Sequence, residues 1–248
     1  MFHVALPISG VDLQLARRLL GRLVSWKDEF PDQNFVVVAT WEDHFDVQPL
    51  YTEFRSVFAN TKWAVIEDVP EGDGWPDAAN HLFRQTAGLM AGSPFYFMEA
   101  DNVPLRPYFL DALNQEYEEA GKPYMGAIEP TRRTLPSGEY VERGKHMVGT
   151  GIYPADFLIK CKSIHHVAQG VPWDVYIEDE VVSECHETKL IAHRNGTAKY
   201  SLVNGILQCV DYKERPGKHS YADPVPRGAL VIHGCKDFSL YDIDLSTY

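Results

Sequence analysis

What this sequence lacks narrows it first. No stretch approaches the roughly 18 consecutive apolar residues that a membrane-crossing helix needs, so no membrane partner is expected. The N-terminal Met-Phe-His-Val-Ala-Leu-Pro has no basic region, no long apolar segment and no cleavage site, and predicts no signal peptide. Cysteine is scarce, with four in 248 residues. Cys161, Cys185, Cys209 and Cys235 are far apart and form no C-x-x-C pair, which excludes a disulfide framework and a zinc ribbon. The expected setting is therefore soluble, reduced and cytoplasmic. Neither G-x-G-x-x-G after the first apolar run nor G-x-x-x-x-G-K-[ST] occurs, so a dinucleotide fold and a P-loop are unsupported. Positive charge is also in deficit. A net charge of −12 argues against a general polyanion binder, though not against a local basic groove.

What is present reads as α/β. Short, nearly continuous apolar runs at 2–8, Phe35–Ala39, Trp63–Ile66 and Phe95–Met98 have the length and composition of buried strands. Between them lie helix patterns from Asp12 (as the cap) to about Trp26, over 47–58, and from Asp77 to about Met90. Four strands alternating with three helices predict a parallel sheet with helices on both faces. The second half is less regular. Strands are expected over 123–128, 146–154, 188–192 and 229–233, short helices over 155–160 and 173–184, and a turn around Pro136 and Gly138. No repeat or linker divides the chain, which is expected to be a single domain, with halves 1–103 and 104–248.

One stretch organises the rest. The aromatic strand Phe95–Met98 ends in two carboxylates, Glu99 and Asp101, before Asn102 and a proline-punctuated turn. Taken alone, that tripeptide could be a capped turn beside a solvated strand end. A buried strand ending in acids is costly without a reason, however, and in open α/β sheets ligands bind at the carboxyl ends of strands. Two hard oxygen ligands two residues apart suit Mg²⁺ or Mn²⁺ carrying a diphosphate.

Several segments, in this order, resemble those of the GT-A glycosyltransferases, which move a sugar from a nucleoside diphosphate to an acceptor. They are the N-terminal α/β pattern, Glu99-Ala-Asp101 in place of a D-x-D motif, the Gly-rich 146–154, the acidic Trp173-Asp-Val-Tyr-Ile-Glu-Asp-Glu180, and Val231-Ile-His-Gly-Cys-Lys236. The resemblance implies a GT-A-like, Rossmann-like fold with a mixed, mainly parallel central sheet. It implies a Mn²⁺ or Mg²⁺ ion on Asp101 and His233, with Lys236 on the diphosphate and Glu99, one methylene longer than the usual aspartate, near the ribose or a metal-bound water. Pro7, Ser9, Thr40 and Asp68 would lie near the donor's base and ribose, and Asn80 and Arg84, four apart on one helix, near the sugar diphosphate. Asp179 is the first choice for an acceptor base, with Glu178 and Asp174 as alternatives; the last two would share a helix face at i, i+4. The implied donor is a nucleoside-diphosphate sugar, UDP-sugar favoured, and the enzyme a hexosyl- or pentosyltransferase.

The acceptor is an unspecified hydroxyl. The compact build resembles small glycosyltransferases of bacteria and their phages, some of which modify hydroxymethylated bases in DNA. Basic residues at Arg132, Arg133, Arg143 and Lys145, and at Lys213, Arg215, Lys218, His219 and Arg227, could serve such an acceptor or a glycan, or be solvated loop faces. Three other readings compete. A nucleotidyltransferase such as a sugar-nucleotide pyrophosphorylase would want a Gly-rich basic loop where Ser9-Gly-Val-Asp12 stands. A zinc enzyme would draw on Cys161, His165, His166, Cys185, His186, His233 and Cys235, which lack zinc-motif spacing. A non-catalytic nucleotide- or glycan-binding module would turn over no donor.

Overall fold

The computed structural model describes residues 1–30, 32–70, 74–134, 140–196, 199–204, 206–211, 225–236 and 238–245. The first half alternates as its apolar pattern predicts: β1 (His3–Pro7), α1 (Leu13–Ser25), β2 (Phe35–Thr40), α2 (His44–Val57), β3 (Thr61–Ile66), α3 (Asp77–Leu89) and β4 (Phe95–Phe97). A two-residue strand β5 (Val103–Pro104) and helix α4 (Phe109–Ala120) follow. Gly121, at φ +59°, ends α4 in the left-handed conformation that a side chain disfavours. Strands β6 (Tyr124–Thr134) and β7 (Tyr140–Tyr153) pair antiparallel, and the turn expected at Pro136 and Gly138 lies outside the described residues. Short helices α5 (Phe157–Lys160), α6 (Trp173–Tyr176) and α7 (Glu178–Val181) come next. The remaining strands are β8 (Cys185–Glu187), β9 (Ile191–Gly196), β10 (Lys199–Val203), β11 (Ile206–Asp211) and β12 (Val231–Cys235).

Seven strands form one mixed sheet in the order β3-β2-β1-β4-β7-β6-β8. Strands β1 to β4 run parallel, β7 is antiparallel to both β4 and β6, and β8 is parallel to β6. Side chains of a strand alternate between faces, and the core divides accordingly. Val4, Leu6, Val37 and Tyr96 pack with Leu19 and Leu23 of α1, Phe54 of α2 and Leu113 of α4. Their neighbours Ala5, Val36, Val38, Phe95 and Phe97 pack on the other face with Phe83 of α3, Phe157, Trp173 and Val181. Both faces are thus covered, which is why the parallel strands read as continuous apolar runs.

A second sheet, β5-β12-β9, sits beyond the carboxyl edge of the first. Its joint with the main body is Arg22 of α1, whose guanidinium donates to the carbonyls of Pro104 and Leu240, each at 3.0 Å.

Three expectations are corrected. Asp12 stands at the N-cap position of α1 but makes no side-chain cap hydrogen bond: it ends a 3-10 turn, Gly10–Asp12, and its carboxylate accepts a hydrogen bond from Ser9 Oγ at 2.8 Å. The helix expected over 173–184 is interrupted at Ile177, whose backbone leaves the helical conformation (φ −94°, ψ 9°). Asp174 and Glu178 therefore lie on separate turns, not on one helix face. The β10–β11 hairpin was not expected, since only Tyr200 and Leu207 of its side chains are buried in the core. Among the described residues no helix is long and apolar enough to cross a membrane.

Phe83 is fully buried and stacks on Trp173 with ring centroids 3.4 Å apart. Replacing it with alanine is expected to cost about 3–5 kcal/mol of stability, read by chemical denaturation. A loss below 1 kcal/mol would show that this contact does not hold the 173 segment on the sheet.

Candidate active site

The site begins where β4 ends. After Phe97 the chain makes a tight turn in which Asn102 N donates to the Glu99 carbonyl at 3.0 Å, and β5 starts directly beyond it. Strand β5 pairs with β12 in the register Val103↔Ile232 and Pro104↔Val231. The residues just past this pairing, 101 and 102 on one side and 233 to 235 on the other, are therefore brought together. Cys235 N donates to the Asp101 carbonyl at 3.2 Å. Between His233 and Cys235 the ladder slips at Gly234, whose φ of +86° favours glycine. This bulge lets Lys236 turn back toward Asp101.

The result is a compact cluster. His233 Nε2 lies 3.0 Å from Glu99 Oε2 and 3.5 Å from Asp101 Oδ1, and Lys236 Nζ lies 3.3 Å from Asp101 Oδ2. Glu99, Asp101 and His233 each offer a ligand atom, and these atoms lie within 4.8 Å of one another. No cysteine joins such a cluster among the described residues, so the zinc reading loses its soft ligands.

A second layer holds these groups. Asn102, fully buried, donates to the Glu99 carbonyl at 2.8 Å and to Thr150 Oγ1 at 3.1 Å. Thr150 in turn donates to Glu99 Oε2 at 3.2 Å. On the far side of the imidazole, His193 Nδ1 lies 3.0 Å from His233 Nδ1. Gly149 belongs to the glycine-rich strand: a Cβ there would stand 3.2 Å from the Trp173 ring and 3.7 Å from Glu99 Oε2. The close approach expected of that strand is therefore made by the protein's own indole and carboxylate.

Electrostatics follow from this packing. Burial opposes a charge on His233, but the Asp101 and Glu99 carboxylates outweigh it and hold its pKa above the ordinary histidine value. Burial likewise pushes Glu99 up, yet the His233 hydrogen bond and charge, the Thr150 hydroxyl and Lys236 bring it below the usual carboxylate range. Burial disfavours the Lys236 ammonium, and Asp101 and Asp12 more than restore it, so the lysine stays charged. Asp101 Oδ1 is buried with no hydrogen-bond partner. A buried carboxylate oxygen without a donor, beside a second carboxylate and an imidazole nitrogen, is a donor set that fits Mn²⁺ or Mg²⁺.

These residues line a cleft of about 570 Å³ together with Trp75, Asn80, His146, Trp173 and Asp174. Asn80 clamps the segment that carries Trp173. Its Nδ2 donates to the Val171 carbonyl at 2.9 Å, and its Oδ1 accepts from Trp173 N at 2.8 Å. Of the three acids named as candidate bases, Asp174 faces the cleft. Burial raises its pKa above the normal aspartate value, with the nearby His146 charge working against the rise. Asp179 is exposed and does not line the cleft, while Glu178 accepts a hydrogen bond from Thr131.

The expected donor contacts string along the carboxyl edge of β1 to β3 and do not line this cleft. Pro7 is buried at the end of β1, Ser9 is held by Asp12, and Thr40 Oγ1 accepts from Asp43 N at 3.2 Å. Asp68 accepts from the Glu42 backbone. Arg84 is exposed and borders a separate depression with Asp77 and His81. Asn102, His146, Thr150 and His193 were not singled out from sequence. Asn102, adjacent to the acidic pair, carried a signal; the other three did not.

No protein-family model and no curated protein sequence matches this chain. Solved structures do. An active-site mutant of LgtC superimposes with a TM-score of 0.53 at 10% identity, over 94% of this chain and 87% of that one. The galactosyltransferase LgtC with donor and acceptor sugar analogues gives 0.51 at 8% identity, over 77% and 75%. The bifunctional glycosyltransferase WbbM gives 0.52 at 9% identity over 77% of this chain, which spans 40% of the WbbM chain. The fold is thus of the GT-A glycosyltransferase type, as the order of motifs implied.

The charge arrangement fixes a pH response of the metal-free protein. Raised His233 contributes stability that is complete below the ordinary histidine value and lost as pH climbs through its folded pKa. Lowered Glu99 contributes stability that is complete above the ordinary glutamate value and lost as pH falls through its folded pKa. Between those two ordinary values both contributions are present in full. Asp101→Asn is expected to lower the His233 pKa, followed by NMR titration of the ring. An unmoved titration would contradict this electrostatic account.

Proposed function

We propose that the protein is a metal-dependent glycosyltransferase that moves a hexosyl or pentosyl group from a nucleoside-diphosphate sugar, uridine favoured, to a hydroxyl acceptor. The observation that carries this reading is the convergence of Glu99, Asp101 and His233 beside Lys236 at the carboxyl edge of β4. That edge is where the parallel strands change direction of progression, β1 being flanked by β2 on one side and β4 on the other, and such switch points bind ligands. In this reading residues 1–103 form the donor half of a single domain and 104–248 the acceptor half.

Asp101 and His233 would hold Mn²⁺ or Mg²⁺, with Glu99 as the third ligand and second oxygen donor, and a cation there would act as a Lewis acid toward the diphosphate. Lys236 remains protonated and presents its charge to the departing diphosphate. Asn80 fixes the wall that carries Trp173 and Asp174, which we place on the acceptor side. Pro7, Ser9, Thr40 and Asp68 shape the ground beyond the sugar, where the base and ribose would lie, and Arg84 would reach the diphosphate only from outside the cleft.

For the acceptor, the β6–β7 hairpin carries Glu129 and Glu142 as well as its basic residues. We favour a glycan or small-molecule hydroxyl over a hydroxymethylated DNA base. Salt-sensitive duplex binding that disappears on reversing Arg132 and Arg133 would instead establish the DNA acceptor. Of the other basic cluster, Lys213, Arg215, Lys218 and His219 lie outside the described residues.

The deciding measurement is calorimetric titration of UDP, and of GDP, with Mn²⁺ and with EDTA. Metal-dependent binding to wild type is expected, with a loss of at least tenfold in Asp101→Ala. Equal affinity with and without metal, or in the variant, would sink the metal role. Failure of every nucleoside diphosphate would sink the transferase reading and return Glu99 and Asp101 to a capped turn.

A further inference from the structure

His146 lines the same cleft as the acidic cluster, at the start of the glycine-rich part of β7. Its ring is held by a directional chain of hydrogen bonds. The Thr131 hydroxyl, on the paired strand β6, donates to the Glu178 carboxylate, which can only accept. With its one proton so committed, Thr131 Oγ1 presents a lone pair to His146 Nδ1, 3.0 Å away. Nδ1 must then carry the ring proton. In the neutral imidazole that leaves Nε2 unprotonated.

Nε2 faces Asp174 Oδ2 at 3.9 Å, beyond a direct hydrogen bond, and both side chains are less than a fifth exposed. Asp174 Oδ1 is already taken by Val175 N at 2.9 Å. The gap between Nε2 and Oδ2 opens into the cleft. The arrangement is built rather than incidental, since residue 144, paired with Thr131 across the ladder, is glycine. A Cβ there would stand 3.2 Å from Glu178 Oε1, in the space through which that carboxylate reaches Thr131.

We propose that His146 is the group that takes the acceptor's proton, with Glu178 and Thr131 setting its tautomer and Asp174 balancing the charge it acquires. The assignment rests on the transferase reading above and deepens it. As the acceptor oxygen bonds to the sugar's anomeric carbon, the bond from that carbon to the diphosphate oxygen breaks and its electron pair leaves with the nucleotide. The acceptor's proton passes to Nε2. Nδ1–H stays on Thr131 and the Thr131 proton stays on Glu178, so the ring becomes an imidazolium between two carboxylates and later releases its proton to water. General base assistance of this kind is worth about 10²–10⁴-fold in rate.

Two readouts test it on the full chain. Long-range ¹H–¹⁵N NMR of wild type is expected to show His146 protonated at Nδ1 and bare at Nε2, and Thr131→Val to lose that preference. A ring protonated at Nε2 in wild type overturns the proposal whatever the activity. The second readout is hydrolysis of UDP-glucose and UDP-galactose with Mn²⁺, water serving as acceptor. His146→Ala and the bulkier His146→Gln are expected to slow it at least 100-fold with UDP affinity unchanged, and added imidazole to restore part of the rate in the alanine variant. Wild-type hydrolysis rates in both variants overturn the role of His146 and leave the donor site standing. A wild type that binds no nucleoside diphosphate brings down the transferase reading and this role with it. Where the wild type binds the nucleotide and hydrolyses neither sugar, the tautomer alone decides.

Discussion

The site depends on a ladder only two residue pairs long. Val103 and Pro104 of β5 meet Ile232 and Val231 of β12, and this pairing brings residue 101 near residue 233. Two pairs are a marginal sheet by themselves. They persist because the strand behind them, β9, pairs with β12 in parallel, and because Val103, Ile232, Leu207 and Leu240 share a small apolar core. Arg22 then ties that core to α1 through two carbonyls. The large sheet supplies rigidity, and the small one supplies the imidazole and the ammonium.

The charges gathered there offset one another. Two carboxylates face one imidazole and one ammonium, with Asp101 and His233 buried, Glu99 partly so and Lys236 exposed. An unbalanced charge at the buried pair would cost several kcal/mol, which a matched set avoids. The same balance would suit a divalent ion: it would take the place of the imidazole's proton and meet an oxygen of Asp101 that has no hydrogen-bond partner. The second layer of Asn102 and Thr150 keeps Glu99 aimed at that position.

Much of this was legible in the residues. Strands buried on both faces announce themselves by unbroken apolar runs, so β1 to β4 and their helices lay close to where they were expected. The acids ending an aromatic strand, and His233 followed by Lys236, marked the cluster because buried charge needs a purpose. The rest was hidden for identifiable reasons. Thr150, His146 and His193 act through contacts with residues 15 to 51 positions away, and single polar residues inside strands carry no periodic signal. The acidic stretch 174–180 misled because its spacing assumed an unbroken helix. The backbone leaves the helical conformation at Ile177, Asp174 lines the cleft and Asp179 is left in solvent. The β10–β11 hairpin was missed because tertiary burial of two side chains, rather than local pattern, holds it in place.

The distance along the chain between the acidic pair and its imidazole has a consequence for biosynthesis. Glu99 and Asp101 leave the ribosome more than a hundred residues before His233 and Lys236. Throughout that interval the growing chain holds two carboxylates with no basic group to face them, at the mouth of a sheet that can already have formed. The triad is completed by a strand that pairs with β9 and β5. A divalent ion that relied on all three side chains would therefore find its site only after residue 233 has been made and both sheets have docked, and a chain arrested or severed between residues 104 and 231 would carry the acidic pair without its imidazole.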